Sequence, residues 1–314
     1  MKGCTTGKGN PKKGHKHLLQ ERRQVYCFIK ANCLKYPVEK MCRILNVSRS
    51  SYYQWLEGSQ SPRLQERLHI IERIKEVHKQ SKGRYGSPKI TEQLKESGLQ
   101  VSRPRVARIM RSLGISSIVN KKFRGSTTNS KHNYPVANNI LNRNFTAAMP
   151  GQKWVSDITY IPTVSGWLYL TIVMDLYDRK IIGWSLSTSM EAAKTTLPAF
   201  RMAIGNRPKI HSLIFHSDRG VQYAANSFRD TLGRHRVIQS MSRKADCWDN
   251  AVAENFFKTL KSELVYHHKF HSVEIAKKEV FEFIEIWYNR KRKHAYLRYQ
   301  SPEQFYLSQL ANAA

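Results

Sequence analysis

The spacing of apolar residues changes at Trp154, and this change divides the chain into two kinds of structure. Between residues 38 and 115, apolar side chains recur at the spacing of short amphipathic helices. From Trp154 onward, three strand-like segments are followed by alternating helices and strands. The predicted strands are 154–161, 167–174, 180–186, 210–216 and 235–240, and the predicted helices are 191–205 and 226–233. This order predicts an α/β layer fold preceded by an all-α region.

The stretch 38–56 predicts two short helices separated at Asn46 and Val47, with Ser48 as the N-cap of the second. This spacing is typical of a helix-turn-helix, in which the second helix enters a DNA groove and Arg49 is a candidate DNA contact. An ordinary helical hairpin would give the same pattern, so both interpretations stay open.

A second helical region follows between residues 61 and 118. It contains an amphipathic helix at 64–80, the turn SKGRYG at 81–86, and a helix whose predicted N-cap is Ser87. The next helix, at 103–114, spreads four arginines over its polar face: Arg103, Arg105, Arg108 and Arg111. These arginines are candidate phosphate contacts, and the alternative is a solvated basic face.

Six segments result. They are a flexible basic leader at 1–20, a helix-turn-helix-like region at 21–60, a second such region at 61–118, a linker at 119–150, an α/β core at 151–270, and a C-terminal helix with a basic tail at 271–314.

The formal net charge of +30 implies a polyanionic partner. Residues 1–135 carry 29 Lys and Arg against 8 Glu and no Asp, which is a net of +21. No run of 18 apolar residues and no apolar signal core appear, so nucleic acid is favoured over a membrane. The five cysteines form no C-x-x-C, which favours a reducing cytoplasm, and a zinc site from His15, His17, Cys27 and Cys33 has no recognised spacing.

Three carboxylates carry the strongest chemical signal. Asp157, the first Asp of the chain, lies in a predicted strand, Asp218 ends another, and Glu254 lies on a predicted helix at 249–264. Carboxylates are natural ligands of two divalent cations that catalyse in-line phosphoryl displacement. The opposing interpretation is that Glu254 belongs to a solvated face, since Lys258 and Lys261 share its side of the helix.

The C-terminal segment combines a packing helix at about 273–290 with a basic, aromatic stretch at 288–305. Arg290, Lys291 and Arg292 in this stretch are candidate contacts to the DNA backbone.

Several motifs resemble those of a known family. WVSDITYIP, FHSDRGVQY, MSRKADCWDNAVAENFFKTLKSEL and YNRKRKHAYLRYQSP are similar to the core of bacterial insertion-sequence transposases with a retroviral-integrase-like domain. Within these, the chain resembles the catalytic-frame products of insertion-sequence family three, and the resemblance covers about residues 38–306.

The resemblance implies an RNase H-like mixed-sheet fold and a site in which Asp157, Asp218 and Glu254 are both catalytic residues and ligands of two Mg²⁺ ions, with Mn²⁺ as a substitute. It places Lys261 against the DNA of the element end, with Lys258 as a neighbouring candidate. The implied partners are double-stranded DNA (terminal inverted repeats and target), other copies of this chain on that DNA, and the protein of an upstream reading frame. The expected location is the cytoplasmic nucleoid.

One departure from the family is Arg298, which stands where the family usually has glycine in Leu-Gly-Tyr. Glycine favours backbone conformations that arginine adopts at a cost, so the turn at 297–299 becomes a test of how the tail docks.

The leading hypothesis is a DNA transposase that cleaves at the ends of an insertion sequence and joins the freed 3′-hydroxyl to another strand. The alternatives are a metal-dependent nuclease that does not join, and a DNA-binding regulator with a vestigial catalytic domain.

Overall fold

The computed structural model describes residues 11–58, 62–119, 134–207, 212–244 and 246–313, and the side chains of all but 11–21, 247 and 313 among them. Residues 1–10 of the predicted leader and residues 120–133 of the predicted linker therefore lie outside the description. The side chains of His15, His17 and Cys247 lie outside it as well. The chain forms two compact units, one ending at Arg73 and one beginning at Ile74.

The first unit is helical. Helix α1 spans Pro11–Asn32, α2 spans Val38–Ile44 and α3 spans Arg49–Leu56, and they bury Ile29, Met41, Cys42 and Tyr52 between them. The helix pair predicted at 38–56 is present, and Asn46 takes a left-handed φ of 54° at the break. Residues 11–20 of the predicted leader are helical, as part of α1. The Lys, Leu and Gln residues of this segment are good helix formers.

Three helices carry the next segment of the chain. Helix α4 spans Pro62–Gln80, α5 spans Ser87–Glu96 and α6 spans Arg103–Ser112. The N-cap of α5 is Gly86, one residue before the predicted cap, because Gly86 is still extended and Ser87 already has helical geometry. Helix α6 buries Val106, Ile109 and Met110 as its spacing predicts.

A mixed five-stranded sheet forms the centre of the second unit. The strands are β1 (Lys153–Thr163), β2 (Gly166–Asp175), β3 (Ile181–Ser187), β4 (Ile214–Ser217) and β5 (Ile238–Met241). Their order in the sheet is β3-β2-β1-β4-β5, with β1, β2 and β3 antiparallel and β4 and β5 parallel to β1. This topology confirms the expected RNase H-like fold.

Helices complete the unit in chain order. They are α7 (Thr196–Asn206), α8 (Val221–Ala224), α9 (Asn226–Arg234), α10 (Ala251–Glu263), α11 (Val273–Phe281) and α12 (Pro302–Ala313). A core cluster that includes Trp154, Phe200, Phe215 and Phe228 joins the sheet to α7 and α9. The helix predicted at 273–290 stays α-helical only to Phe281 and continues as a π-helix over Glu282–Lys291. None of the described helices has the length and apolarity needed to cross a membrane.

Gly183 in β3 permits the close packing of α7. A Cβ added at Gly183 would lie 2.2 Å from the carbonyl oxygen of Ala199 and 2.7 Å from the amide nitrogen of Ala203, both backbone atoms of α7. We expect Gly183→Ala to lower the free energy of unfolding by about 1–3 kcal/mol, since neither backbone atom can give way cheaply. Denaturant unfolding of the purified protein measures this change.

Gly205→Ala is the matched control, because a Cβ at Gly205 on α7 would meet no atom within 4 Å. Its helical position predicts an unchanged or slightly higher stability. Equal losses for the two variants would contradict the packing argument.

Candidate active site

Two of the candidate carboxylates come from neighbouring parallel strands. Asp157 lies within β1, and Asp218 follows directly after the last residue of β4. Since Val155 pairs with His216, the same register brings position 157 level with position 218. Adjacent strands lie about 4.8 Å apart, so the two carboxylates lie side by side on neighbouring strands. Both side chains are half-buried.

Backbone amides orient both of these carboxylates. The N–H of Ile158 donates to Oδ1 of Asp157 at 2.8 Å, and the N–H of Gly220 donates to Oδ1 of Asp218 at 3.0 Å. A Cβ at Gly220 would itself lie 3.0 Å from that oxygen, so glycine leaves room for the carboxylate. Each side chain is therefore held in one direction by local hydrogen bonding before any ligand binds.

The third carboxylate, Glu254, lies in the first turn of α10. Its side chain is 35% exposed, and Nζ of Lys258 lies 3.9 Å from Oε2. The start of α10 is tied to β1, because Nδ2 of Asn250 donates to the carbonyl oxygen of Ser156 at 3.1 Å. Since Ser156 precedes Asp157, this hydrogen bond fixes the beginning of α10 beside the strand-borne carboxylates.

The other two carboxylates act electrostatically on Asp157. Burial raises the pKa of Asp157 well above its usual value, and Asp218 and Glu254 raise it further. The Ile158 N–H and Lys261 oppose this rise. Burial also raises the pKa of Glu254, against Lys258. A cluster of like charges with so little compensating positive charge would be relieved by a bound cation.

The chemistry of the donor set fits a divalent cation, since carboxylate oxygens are its preferred ligands. In the part of the chain that the structure describes, no three Asp, Glu, His or Cys side chains converge closely enough to form one metal cluster. The pKa of Asp157, however, responds to both Asp218 and Glu254. Asp157 and Asp218, level with each other on neighbouring strands, would offer oxygen ligands of the kind that Mg²⁺ prefers.

The fully buried Asp249 anchors the loop before α10. Its carboxylate accepts hydrogen bonds from Nη2 of Arg243 at 2.7 Å, from Nε of Arg143 at 2.9 Å and from Nδ2 of Asn139 at 2.8 Å. Arg243 is the main cause that holds the pKa of Asp249 far below its usual value. Asp246 pairs with Arg143. Both acids thus stabilise the loop, and no local sequence pattern indicates their arginine partners.

The other end of α10 is anchored by a buried ion pair. Oε1 of Glu263 accepts from Nη2 of Arg292 at 2.9 Å, and Oε2 accepts from Nε1 of Trp287 at 2.9 Å. The guanidinium of Arg84 lies 4.8 Å from the ring centroid of Trp287, and its Nε donates to the carbonyl oxygen of Glu263 at 3.3 Å. The turn at 81–86 therefore contacts the C-terminal end of the helix that carries Glu254.

This pairing bears on one predicted DNA contact. The Arg292 side chain is only 14% exposed, and Glu263 occupies its guanidinium. The structure leaves other candidates accessible: Arg290, Lys291, Arg103, Arg108 and Lys258 are exposed, and Arg105 is half-buried. Arg49 is 59% exposed but lies 3.1 Å from Glu39.

Other acidic residues of the core serve packing. Asp175 and Asp178 are fully buried and pair with Arg207 at 2.9 and 2.7 Å, so they belong to the packed core. His216, two residues before Asp218, is buried between hydroxyls of Ser240 and Ser242, and burial lowers its pKa to about 4.

Arg298 adopts the left-handed conformation that glycine would take more easily, with φ of 53° and ψ of 40°. The turn closes all the same, since the N–H of Tyr299 donates to the carbonyl oxygen of His294 at 2.8 Å. The substitution of glycine by arginine thus preserves the turn at a backbone cost of about 1–2 kcal/mol.

Comparisons with known proteins agree with this architecture. Residues 147–247 and 254–310 match two family models described as integrase core domain, and residues 65–123 match an HTH-like domain. The HTLV-2 integrase catalytic core domain, solved in complex with magnesium, is similar over 51% of this chain and 97% of its own, at 14% identity and a TM-score of 0.38. The family models define a polynucleotidyl transferase with an integrase core domain, preceded by an HTH-like helical region.

Relatives found by sequence are more similar to this chain than the integrase structure is. Transposase InsF for insertion sequence IS3A from Escherichia coli (strain K12) is 39% identical over 288 residues, which are 91% of this chain and 99% of the relative. An insertion element IS600 protein of 31 kDa from Shigella sonnei is 40% identical over 265 residues, 84% of this chain and 97% of its own. The chain belongs to the IS3 family of transposases.

Arg292 and Arg290 provide a test of the buried pair at the end of α10. Arg292→Ala leaves Glu263 buried without its charge partner, so we expect a loss of about 3–5 kcal/mol in the free energy of unfolding. Arg290→Ala removes an exposed side chain and should change stability by less than about 0.5 kcal/mol. Denaturant unfolding compares the two. A small loss for Arg292→Ala, matching that of Arg290→Ala, would show that the pair is dispensable.

Proposed function

We propose that this transposase hydrolyses one strand at the end of its insertion sequence and joins the freed 3′-hydroxyl to another phosphodiester. The observation that carries the proposal is the parallel register that sets Asp157 of β1 level with Asp218 after β4, together with the Asn250–Ser156 hydrogen bond that holds the helix of Glu254 against β1. A nuclease or a polynucleotidyl transferase needs such a carboxylate set. A DNA-binding regulator would have no reason to maintain the unfavourable charge.

Asp157, Asp218 and Glu254 would hold two Mg²⁺ ions, for which Mn²⁺ substitutes. When bound, these ions activate the attacking hydroxyl and stabilise the leaving oxygen. The chain itself contributes position: the amides of Ile158 and Gly220 orient two carboxylates, and Asn250 fixes the helix that carries the third. Such orientation before binding reduces the entropy that the reaction must supply.

The partner is double-stranded DNA, at the terminal inverted repeats and at the target. The exposed arginines of α6, Arg103, Arg108 and Arg111, are suited to phosphates of the element end. Arg49, Arg105, Arg290, Lys291 and Lys258 are further candidates. Two element ends must be processed and each chain offers one carboxylate set, so we infer that copies of the chain assemble on DNA, with the upstream-frame protein as a further partner.

Neutralising any one of the three carboxylates should abolish the chemistry. Asp157→Asn, Asp218→Asn and Glu254→Gln keep the shape of the side chain and remove a charged ligand, which we expect to slow nicking and joining by at least about 10³-fold. The measurement is strand nicking and transfer with oligonucleotides that carry the ends of the chain's own element, in Mg²⁺ or Mn²⁺. DNA affinity should change by less than about threefold.

Asp230→Asn is the control, because Asp230 is exposed on α9 and away from the triad in sequence. Its activity should remain within about twofold. Full activity of the unsubstituted protein in EDTA would exclude the metal mechanism, nicking without joined products would favour the nuclease, and DNA binding without any turnover would favour the regulator.

Lys261 is proposed to position the DNA strand that is cut. It is half-buried, and Asp157 opposes the lowering of its pKa by burial, so its ammonium lies within electrostatic reach of the candidate site. Its helix neighbours have other partners, since Glu254 lies near Lys258 and Glu263 pairs with Arg292. We expect Lys261→Ala to slow joining by about tenfold or more while weakening overall DNA binding by less than about threefold.

Lys277→Ala removes an exposed lysine of α11 and serves as the matched control. Single-turnover joining rates and DNA affinities of the two variants are compared under one salt concentration. A joining rate for Lys261→Ala within about twofold of the unsubstituted protein, with folding unchanged, would assign Lys261 to the solvated face instead.

A further inference from the structure

Trp248 is an exposed tryptophan six residues before Glu254, and it has no role in the cleavage and joining proposed above. Its side chain is 68% exposed, and it lies in the short 3₁₀-helix Cys247–Asn250 directly before α10. Tryptophan is a large, mostly apolar side chain that folded proteins usually bury in large part. A ring left in solvent beside an active site therefore calls for a partner that covers it.

The backbone that presents the ring is held on both sides. The N–H of Trp248 donates to Oδ1 of Asp246 at 3.2 Å, and the next residue, Asp249, is buried among the hydrogen bonds of Arg243 and Arg143. Asn250 is tied to Ser156 in β1. A ring on a fixed backbone loses little conformational entropy when a flat partner stacks on it.

The charges around Trp248 suit a nucleic acid strand. Arg143 and Arg243 hold Asp249 and yet keep 46% and 49% of their side chains exposed, and Lys244 is exposed as well. The nearby acids are Asp246 and Asp249, and against Arg143, Arg243 and Lys244 they leave a net charge of +1 (three basic residues less two acidic ones). An aromatic ring flanked by basic groups is the usual combination for single-stranded DNA, in which bases stack and phosphates meet the cations.

The distance to the chemistry corresponds to a few nucleotides. Trp248 precedes Glu254 by six residues, and a helical rise of 1.5–2.0 Å per residue places the two about 10 Å apart along the axis. A DNA strand advances about 3.4 Å per nucleotide in a duplex. A separation of about 10 Å corresponds to roughly three nucleotides of a strand whose phosphodiester is held at the carboxylates.

We propose that Trp248 stacks on an unpaired nucleobase of the DNA end, within about three nucleotides of the phosphodiester that is cut. This inference rests on the proposed cleavage at element ends, and it adds a base-binding site to that function. The stacked base would hold the end open and keep the strand in place during cleavage. A second copy of the chain or another protein on Trp248 is the competing occupant.

A double-mutant cycle between protein and DNA tests the contact. The chemistry is first blocked by Asp157→Asn, and the affinity is then measured for duplex ends of the chain's own element, with and without Trp248→Ala. Each of the three nucleotides on either side of the cut is replaced in turn by an abasic site. At one position, we expect Trp248→Ala to weaken binding about 10- to 100-fold with the base present, equivalent to ~1.4–2.7 kcal/mol, and less than about threefold without it.

Two variants separate stacking from other causes. Trp248→Phe retains an aromatic face and should keep affinity within about threefold, whereas Trp167→Ala removes a tryptophan of β2 that is 57% exposed and should show no coupling to any abasic position. Effects of Trp248→Ala and abasic sites that multiply independently at every position would overturn the proposal. So would a change in oligomeric state without base dependence, which would assign the ring to a protein contact.

Because the cycle measures binding in a chemically inactive protein, its outcome does not depend on turnover. Absence of nicking by the unsubstituted protein would contradict the proposed function while the base contact is still measured. Normal nicking combined with an additive cycle would contradict only the role of Trp248.

Discussion

The parallel pairing of β1 with β4 is the constraint on which the candidate site depends. It consists of three residue pairs, Lys153 with Ile214, Trp154 with Phe215 and Val155 with His216. A shift by one residue would turn the following side chains to the other face of the sheet and separate Asp157 from Asp218. The register is secured by the core, since the rings of Trp154 and Phe215 both pack against Phe200, at 6.3 and 5.6 Å between centroids.

The third carboxylate depends on a helix that is fastened at its two ends. At the start of α10, Asn250 donates a hydrogen bond to β1, and Asp249 forms ion pairs with Arg143 and Arg243. At its end, Glu263 is buried against Arg292. The arginine partners lower the pKa values of Asp249 and Glu263. The pKa values of Asp157 and Glu254 are instead raised. The acids with arginine partners thus stabilise the structure around the site. The acids with little positive charge beside them remain available to bind a cation.

The parts that sequence could predict are those encoded locally. Strand alternation placed Asp157 on β1, an apolar run placed Asp218 at the end of β4, and helical spacing placed Glu254 on α10. Long-range pairing was beyond such reasoning: Arg292 looked like a DNA contact in a basic tail, yet its partner, Glu263, lies 29 residues away. The π-helix at Glu282–Lys291 was missed for the same reason, because its side chains are directed by contacts such as that of Asn289 with Ile181 in β3.

Those long-range contacts also explain why the helical segment from Ile74 belongs to the same compact unit as the sheet. The hydroxyl of Tyr85 donates to the carbonyl oxygen of Lys291 and accepts from the N–H of Lys293, each at 3.0 Å, while Arg84 packs on Trp287 beside Glu263. Helices α5 and α6 follow directly from this turn. A DNA end that contacts the arginines of α6 would therefore be held at a defined position relative to α10 and its glutamate. Proximity of this kind can supply a large part of a rate enhancement without any further chemistry from the protein. The turn at 81–86 carries no reactive group. Its contacts are thus as important to the proposed reaction as the arginines of α6 that would contact the DNA end.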